Sequence, residues 1–421
     1  MAGIGIAPKI KIKGTKQDID LGNYHFENIR YIEDINQGFP ELEIGLKDNL
    51  FTLLRGGLFG DEELVIEEFI SDKFSFTNKS FRIKSIGALG IEPRPASAQM
   101  VKLIAIDKNY DAILKNQKSV YFTPTEKKKP SDLLKKLLDQ VGIKEQTNFS
   151  INIDPTAPLK EYGFQNMFIP YSADPMKVFR KLCNYSMSPD GTGAFTFYIN
   201  RRGLYFVPLS KLFVGATAQT PYLQITDFLE NYGINSVKLS TFNSFSNFIT
   251  GNEKKILGFN LLEKDYNFIW YKPNAKYTEH SKYADKAEQT SNVKSMPLFQ
   301  RSSNSIPFSK DFMTGNIKTY YTPMDSPEQL KAFGDSLYYG QMLSYQLELD
   351  IDFTQIMPDF AIGEIVNVDF FTSDADRWVE LNGPWLLKSF SYTYPGDNAL
   401  LKLVRIGIGS LPEQYVKIGE S

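Results

Sequence analysis

The chain has 421 residues, 42% hydrophobic and 23% charged, with 47 Lys and Arg against 49 Asp and Glu for a formal charge of −2. That length exceeds one ordinary core and predicts two or three domains. The composition excludes a disordered chain, and the near-zero charge excludes an overall basic field for nucleic acid or anionic lipid. Cys183 is the only cysteine, which excludes an intramolecular disulfide framework and any multi-cysteine zinc site.

The opening MAGIGIAPKIKIKG lacks the charged region and apolar core of a signal peptide, and no run reaches the ~18 apolar residues of a membrane span, so synthesis in the cytoplasm without membrane insertion is expected. The first 120 or so residues read as strands: KIKIKG alternates from Lys9, ELEIGL from Glu41, and SFRIKSI and MVKLIAID follow, separated by turn residues such as Gly56, Gly57 and Asn78. Between them GDEELVIEEFISD, Gly60 to Asp72, holds six acids and no base. Asp61, Glu62, Glu63, Glu67 and Glu68 are expected to form either a solvated loop or one that docks on a basic partner.

At KKKPSDLLKKLLDQVGI the period changes from two to 3.6. Ser131 is the expected N-cap, Leu133, Leu134, Leu137, Leu138 and Val141 form one apolar stripe, and Gly142 ends the helix. A second helix follows, with Asp174 as cap, Pro175 at its first position, and Val178, Phe179, Leu182 and Cys183 on one face. SPDGTG breaks it, and AFTFYIN and RGLYFVP pair as a hairpin around Asn200-Arg201-Arg202-Gly203. Phe242 to Met324 is polar, and KAEQTSNVKSM is expected to be a long exposed loop or inserted arm. Ser326, Pro327 and Gln329 then make a capping box for a helix whose Gly334 and Gly340 leave its stability to packing. The chain closes with the strands LELDIDF, GEIVNVDF, WLLKSFSYTY and ALLKLVRIG, the last two joined by a Pro395-Gly396-Asp397-Asn398 turn.

One echo runs through this order. SFRIKSI then MVKLIAI near the start resembles WLLKSFS then LLKLVRI near the end, with Lys84-Ser85 matching Lys388-Ser389 and Lys102 matching Lys402. Short alternating strands resemble one another by chance; the sharper reading is two related β-domains separated by a mixed α/β insertion.

Catalytic motifs are absent. No serine-hydrolase, P-loop, dinucleotide or metalloprotease signature is present, and neither GTGAF nor GIGIA joins a strand to a helix at phosphate-binding spacing. His25 and His280 are the only histidines and read as surface or locally hydrogen-bonded groups, Cys183 as a small buried hydrophobe, and Arg201-Arg202 as a solvated hairpin tip. Glu348, Asp350 and Asp352 share a strand face, which is more simply the wet side of a sheet than a cleft or calcium site. No catalytic residue, cofactor or metal is expected.

The order of elements, from PSDLLKKLLDQVGI through FIPYSADPMKVFRKLCNYS, FTFYINRRGLYFVPLS and PDFAIGEIVNVDF to GPWLLKSFSYTYPGDNALLKLVRI, resembles the central hub protein of T-even-type phage baseplates and related tail hub proteins of contractile injection systems. Ala361 to Val366 and Trp385 to Ser389 fill the places of two strands that end the family's fold, and Tyr392 stands near a position that is often histidine. The resemblance implies an α+β, mainly β chain: two related tube-like β-barrel domains with a mixed α/β insertion. The first barrel would span residues 1–122, the second 210–250 and 335–412, the insertion 123–209 and 251–334, with a tail at 413–421. It further implies a homotrimer in the virion tail baseplate, bound to the tail tube protein and to a central spike or tail needle protein, with the tape-measure protein as a further candidate partner. Specific nucleic-acid binding is not expected of such a conduit. The alternative is a tail-tip carbohydrate-binding or cell-wall glycan-degrading protein, since two carboxylates from distant segments suffice for glycoside cleavage.

Overall fold

The computed structural model describes residues 8–14, 18–23, 25–48, 53, 58, 60–70, 75–91, 99–115, 120–122, 129–146, 149–158, 167–169, 175–189, 193–212, 222–226, 232–239, 254–260, 265–271, 319–322, 327–343, 346–353, 361–371, 383–396 and 398–405. His280, Asp174, Ser326, the Pro395-turn's Asp397 and the KAEQTSNVKSM stretch lie outside the described residues.

The chain is α+β and mainly β. The amino-terminal strands are β1 (Lys9–Lys13), β2 (Ile19–Asp20), β3 (His25–Asp34), β4 (Glu41–Asp48), β5 (Glu63–Ile70), β6 (Ser75–Ile91) and β7 (Gln99–Asp107). A mixed segment follows with α1 (Lys108–Lys115), β8 (Val120–Phe122), α2 (Pro130–Val141), β9 (Ser150–Ile153), β10 (Met167–Ile169), α3 (Pro175–Tyr185), β11 (Phe195–Asn200), β12 (Gly203–Pro208) and α4 (Leu209–Leu212). Then come β13 (Tyr222–Thr226), β14 (Tyr232–Leu239), β15 (Lys254–Asn260), β16 (Asp265–Tyr271), β17 (Thr319–Thr322) and α5 (Pro327–Met342). The last strands are β18 (Gln346–Phe353), β19 (Ile365–Phe371), β20 (Gly383–Tyr394) and β21 (Asn398–Arg405).

The main sheet has 13 strands in the order β14-β18-β21-β20-β3-β4-β7-β6-β5-β1-β2, with β19 on β20 and β13 on β19. Two halves of this path repeat each other. In the first, β3-β4-β7-β6-β5-β1 are neighbours; in the second, β14-β18-β21-β20-β19-β13 are neighbours in the same chain order. Residue registers agree as well. β6 bulges at Lys84 against β7, and β20 bulges at Lys388 against β21. β3 bulges at Glu27 against β4, and β14 bulges at Asn235 against β18. Following the ladders outward from these bulges makes Leu42, Ile44 and Leu46 equivalent to Leu347, Leu349 and Ile351, all fully buried. The Ile83 amide donates to the Glu62 carbonyl at 3.0 Å, and the equivalent Leu387 amide donates to the Glu364 carbonyl at 2.8 Å. Two bulges at matched positions are strong markers, because each re-aims the strand that carries it.

The echo read from the sequence therefore lies on equivalent strands, with one correction. Lys84-Ser85 does match Lys388-Ser389, but the ladders place Ile104, not Lys102, opposite the equivalent of Lys402's partner Ser389. A slip of two residues keeps the same face and is invisible to an alternation pattern. The edge strands differ too: β1 runs antiparallel to β5, whereas β13 runs parallel to β19. The two halves are not separate sheets, since Ser389–Tyr394 of β20 pairs with Ile29–Asp34 of β3 and joins them into one continuous ladder. Among the described residues the path does not close on itself.

Alternation explains most of β1, β4 and β5: Ile10 and Ile12, Leu42 to Leu46, and Leu64 and Ile66 turn to one core that spans both halves. The mixed segment has a second core, built from Leu134, Leu138, Phe179, Leu182, Cys183, Phe195, Phe197 and Phe206. Ser131 is not the N-cap of α2. Lys129 takes that position with Pro130 first in the helix, and the buried Ser131 amide donates instead to the Thr156 hydroxyl at 3.1 Å. A side chain from outside the helix thus satisfies one of its orphan donors. Gly142 closes α2 at φ 79°, as its position predicts. The polar stretch from Phe242 to Met324 contains β15, β16 and β17, which pair as a three-stranded sheet.

Candidate functional site

The hairpin β11–β12 forms in the expected register, with Asn200 opposite Gly203 and Arg201-Arg202 at its tip. The tip is only partly solvated: both arginines are half-buried. It inserts at the seam where β3 meets β20, because Glu33 waits there with no exposure to solvent. The Arg201 amide donates to Glu33 Oε1 at 2.6 Å, the Tyr31 hydroxyl donates to the same oxygen, and the Ile362 amide lies 3.4 Å from Oε2. Burial pushes the Glu33 carboxyl above its usual range, opposed first by the Arg201 charge and then by these donors. Arg201 also stands 5.9 Å over the Phe390 ring, a cation–π distance. Lys79 from β6 donates its ammonium to the Arg201 carbonyl, and burial holds that amine below the usual lysine range.

Asn200 locks the tip from the other side. Its Oδ1 accepts from the Arg202 and Gly203 amides at 2.8 and 3.0 Å, while its Nδ2 donates to the Ile362 carbonyl at 3.0 Å. Arg202 pairs with Glu364 at 2.5 Å. Next to them Gly363 has φ 87°, and a Cβ there would lie 2.1 Å from Tyr198 Oη. Gly193, in the turn before the hairpin, donates its amide to the buried Asp335 of α5 at 3.0 Å. The hairpin is therefore a wedge that ties the two repeats to each other and to α5. Its charges are used in packing and hydrogen bonding, which suits a scaffold.

The acidic run is placed differently from the expected loop. Glu63 to Ile70 is strand β5, since Leu64 and Ile66 alternate into the core, and only Asp61 and Glu62 precede it in a turn. Glu62 is buried and accepts the Gly60 and Asp61 amides at 3.0 and 3.1 Å. Glu63 pairs with Lys108 at 2.6 Å, Glu67 with Lys11 at 2.8 Å, Glu68 with Lys9, and Asp61 with Lys115. The five acids run along β5, an inner strand between β6 and β1, and the turn before it; four carry a lysine each and the fifth is inside.

Other singled-out residues are structural. Cys183 is buried, and burial pushes its thiol far above the usual range. His25 begins β3 opposite Lys47. Glu348 lies 3.7 Å from Lys402, and Asp350 accepts from Asn398 at 2.7 Å, so these two acids of β18 have cross-strand partners. Among the described residues no group of three or more His, Cys, Asp or Glu side chains is arranged to hold a metal ion. No described helix is long and apolar enough to cross a membrane.

Glu33 belongs to no sequence motif, yet its strand marks it. It falls in period two with Ile29, Tyr31 and Ile35, all buried, so an acid stands on the apolar face of its strand. Its partners come from positions 168 and 329 residues away, which no local pattern reveals.

No family profile matches the chain, and no curated protein sequence matches it. Solved structures do. The 43 kDa tail protein of prophage MuSo2 from Shewanella oneidensis aligns over 97% of this chain and 100% of its own, at 10% identity and a TM-score of 0.53. A tail protein from Neisseria meningitidis MC58 aligns over 96% of this chain and 98% of its own, at 13% identity and the same TM-score of 0.53. At these identities the likeness is one of fold.

Proposed function

We propose that the chain is a structural hub of a phage-type tail baseplate: a homotrimeric adaptor that joins a hexameric tail tube to a trimeric central spike and forms part of the DNA conduit. The observation that carries this reading is the doubled ladder, with matched bulges at Glu27 and Asn235 and at Lys84 and Lys388. A chain that presents the same sheet twice lets three copies offer six similar surfaces, which reconciles a threefold partner with a sixfold one. The whole-length likeness to two tail proteins supports the same reading. The barrels would be residues 1–122 and, together, 210–250 and 335–412. The wedge hairpin belongs to the insertion at 123–209 and 251–334, which would stabilise the trimer or face the spike.

On this reading the protein is not an enzyme, and its site of action is the virion tail. Tail tube, spike or needle, and tape-measure proteins are the proposed partners. The formal charge of −2 suits a conduit, because basic contacts to phosphate would retard a passing genome. If the Asp61–Glu68 segment meets one of these partners, it does so as a mixed ladder of acids and lysines. Native mass spectrometry of the purified chain tests the proposal. A species of three times 48.0 kDa is expected. A monomer that releases reducing ends from purified cell wall would replace the hub with the glycan-degrading alternative.

A further inference from the structure

The joint between the two repeats within one chain is a template for a joint between chains. In β20 the neighbour changes along the strand: Gly383 to Leu386 pairs with β19, and from Ser389 to Tyr394 its partner is β3. The equivalent strand β6 begins the same way, pairing with β5 from Ser75 to Arg82. Beyond Ile83, among the described residues, that side of β6 has no strand to replace β5. Burial records the difference. Ser389, Phe390 and Ser391 are 6%, 0% and 5% exposed, whereas their equivalents are an exposed Ser85 and half-buried Ile86 and Gly87.

The other half of the joint is also present and unused. β3 is flanked by β4 and β20, but among the described residues its equivalent β14 is flanked only by β18 and ends the path. Each chain thus has one edge of the β3 type and one edge of the β20 type left over. Six strands lie between them in the ladder, and among the described residues the two do not pair within a chain. Unpaired edges of this kind are templates for another strand.

We infer that Ala88–Ile91 of β6 in one copy of this chain pairs antiparallel with Val237–Leu239 of β14 in a second copy, in the register that β20 and β3 use internally. That register sets Tyr392 opposite Tyr31, Thr393 opposite Arg30 and Tyr394 opposite Ile29. Carried across the repeat, with Leu89 set aside as the extra residue of a second bulge in β6, it sets Ala88 opposite Leu239, Gly90 opposite Lys238 and Ile91 opposite Val237. The contact is head-to-tail, because the two edges differ, so each added copy leaves one edge of each kind until the ring closes. Closure at three copies rests on the hub reading above; the strand pairing itself rests on the repeat.

Disulfide trapping tests the pairing. The single variants Ala88→Cys and Leu239→Cys, oxidised separately, are expected to remain uncrosslinked, and their mixture to give a covalent dimer. The double variant is expected to give covalent species up to three chains on a non-reducing gel. A Ser85→Cys/Leu239→Cys pair, three residues out of register and so about 10 Å too distant, is expected to give none. Hydrogen exchange on the unmodified chain supplies an independent readout: Ala88–Ile91 and Val237–Leu239 should gain protection together as concentration rises. A trimer by native mass with neither crosslink nor protection would overturn this interface and leave the hub reading standing. Ala88→Cys crosslinking to itself would overturn the head-to-tail geometry, and a strict monomer would remove both proposals.

Discussion

Replacing Glu33 by alanine should destabilise the chain by about 3–5 kcal/mol, the range for breaking a buried charge pair by removing one partner. Glu33 is fully buried and accepts hydrogen bonds from the Arg201 amide and the Tyr31 hydroxyl, with the Ile362 amide at the longer distance of 3.4 Å. Hydrogen bonds to a charged acceptor contribute roughly 1.5–3 kcal/mol each, so the two shorter ones alone reach about 3–6 kcal/mol. Removing the carboxylate returns part of that, since burial of its charge is unfavourable, as its raised pKa records. It also removes the negative charge that faces Arg201. Glu33→Gln keeps an acceptor at nearly the same place and should cost about 1–2 kcal/mol. Urea unfolding followed by tryptophan fluorescence reads the change close to the seam, because Trp385 is fully buried in β20. A midpoint for Glu33→Ala equivalent to less than 1 kcal/mol of destabilisation would refute the claim that the wedge is held by this carboxylate.

Gly363→Ala combines a left-handed backbone with a Cβ 2.1 Å from Tyr198 Oη, and should lower stability by about 2–4 kcal/mol, visible as a drop in melting temperature. Asp107 caps the start of α1, and burial pushes its carboxyl up to about 6 from an ordinary value of 3.8. Its folded pKa is raised, so the folded chain holds the proton more tightly between those values, and this contribution to stability is lost as pH rises from about 4 to 6. The loss should be on the order of 1–2 kcal/mol, reduced by partial solvent contact, and absent in Asp107→Asn when urea midpoints are compared across that range. Cys183 should resist a thiol reagent in the native chain and react on unfolding in urea, because it is buried and its thiolate is disfavoured; rapid native labelling would contradict the placement. Duplex DNA should show no shift in a gel assay at physiological salt.

Much of the fold was legible because its elements obey simple periods. KIKIK, ELEIGL and FTFYIN alternate, Gly142 stops a leucine stripe, and an Asn-Arg-Arg-Gly turn separates two aromatic strands. The repeat was visible through Lys-Ser at two bulges, yet the matching lysines do different work. Lys84 is exposed and pairs with Asp111, while Lys388 is buried and donates to the Leu343 carbonyl at 3.3 Å. A shared backbone feature preserved the pair, not a shared side-chain role. The acidic run misled because charge was weighed above alternation: Leu64 and Ile66 already marked it as a strand. Arg201 read as solvated because hairpin tips usually are, and its partner Glu33 lies 168 residues away. Strands β15 to β17 were hidden by the polar composition around them, a case where tertiary pairing decides against local preference.

On the proposed function, three chains make a ring of six similar sheets around a lumen. Single-particle imaging of the purified assembly, viewed down its axis and averaged without imposed symmetry, tests this most directly. Six lobes of similar size around an open centre, repeating fully every third of a turn, are the predicted result. Three lobes, or a particle with no central opening, would contradict it.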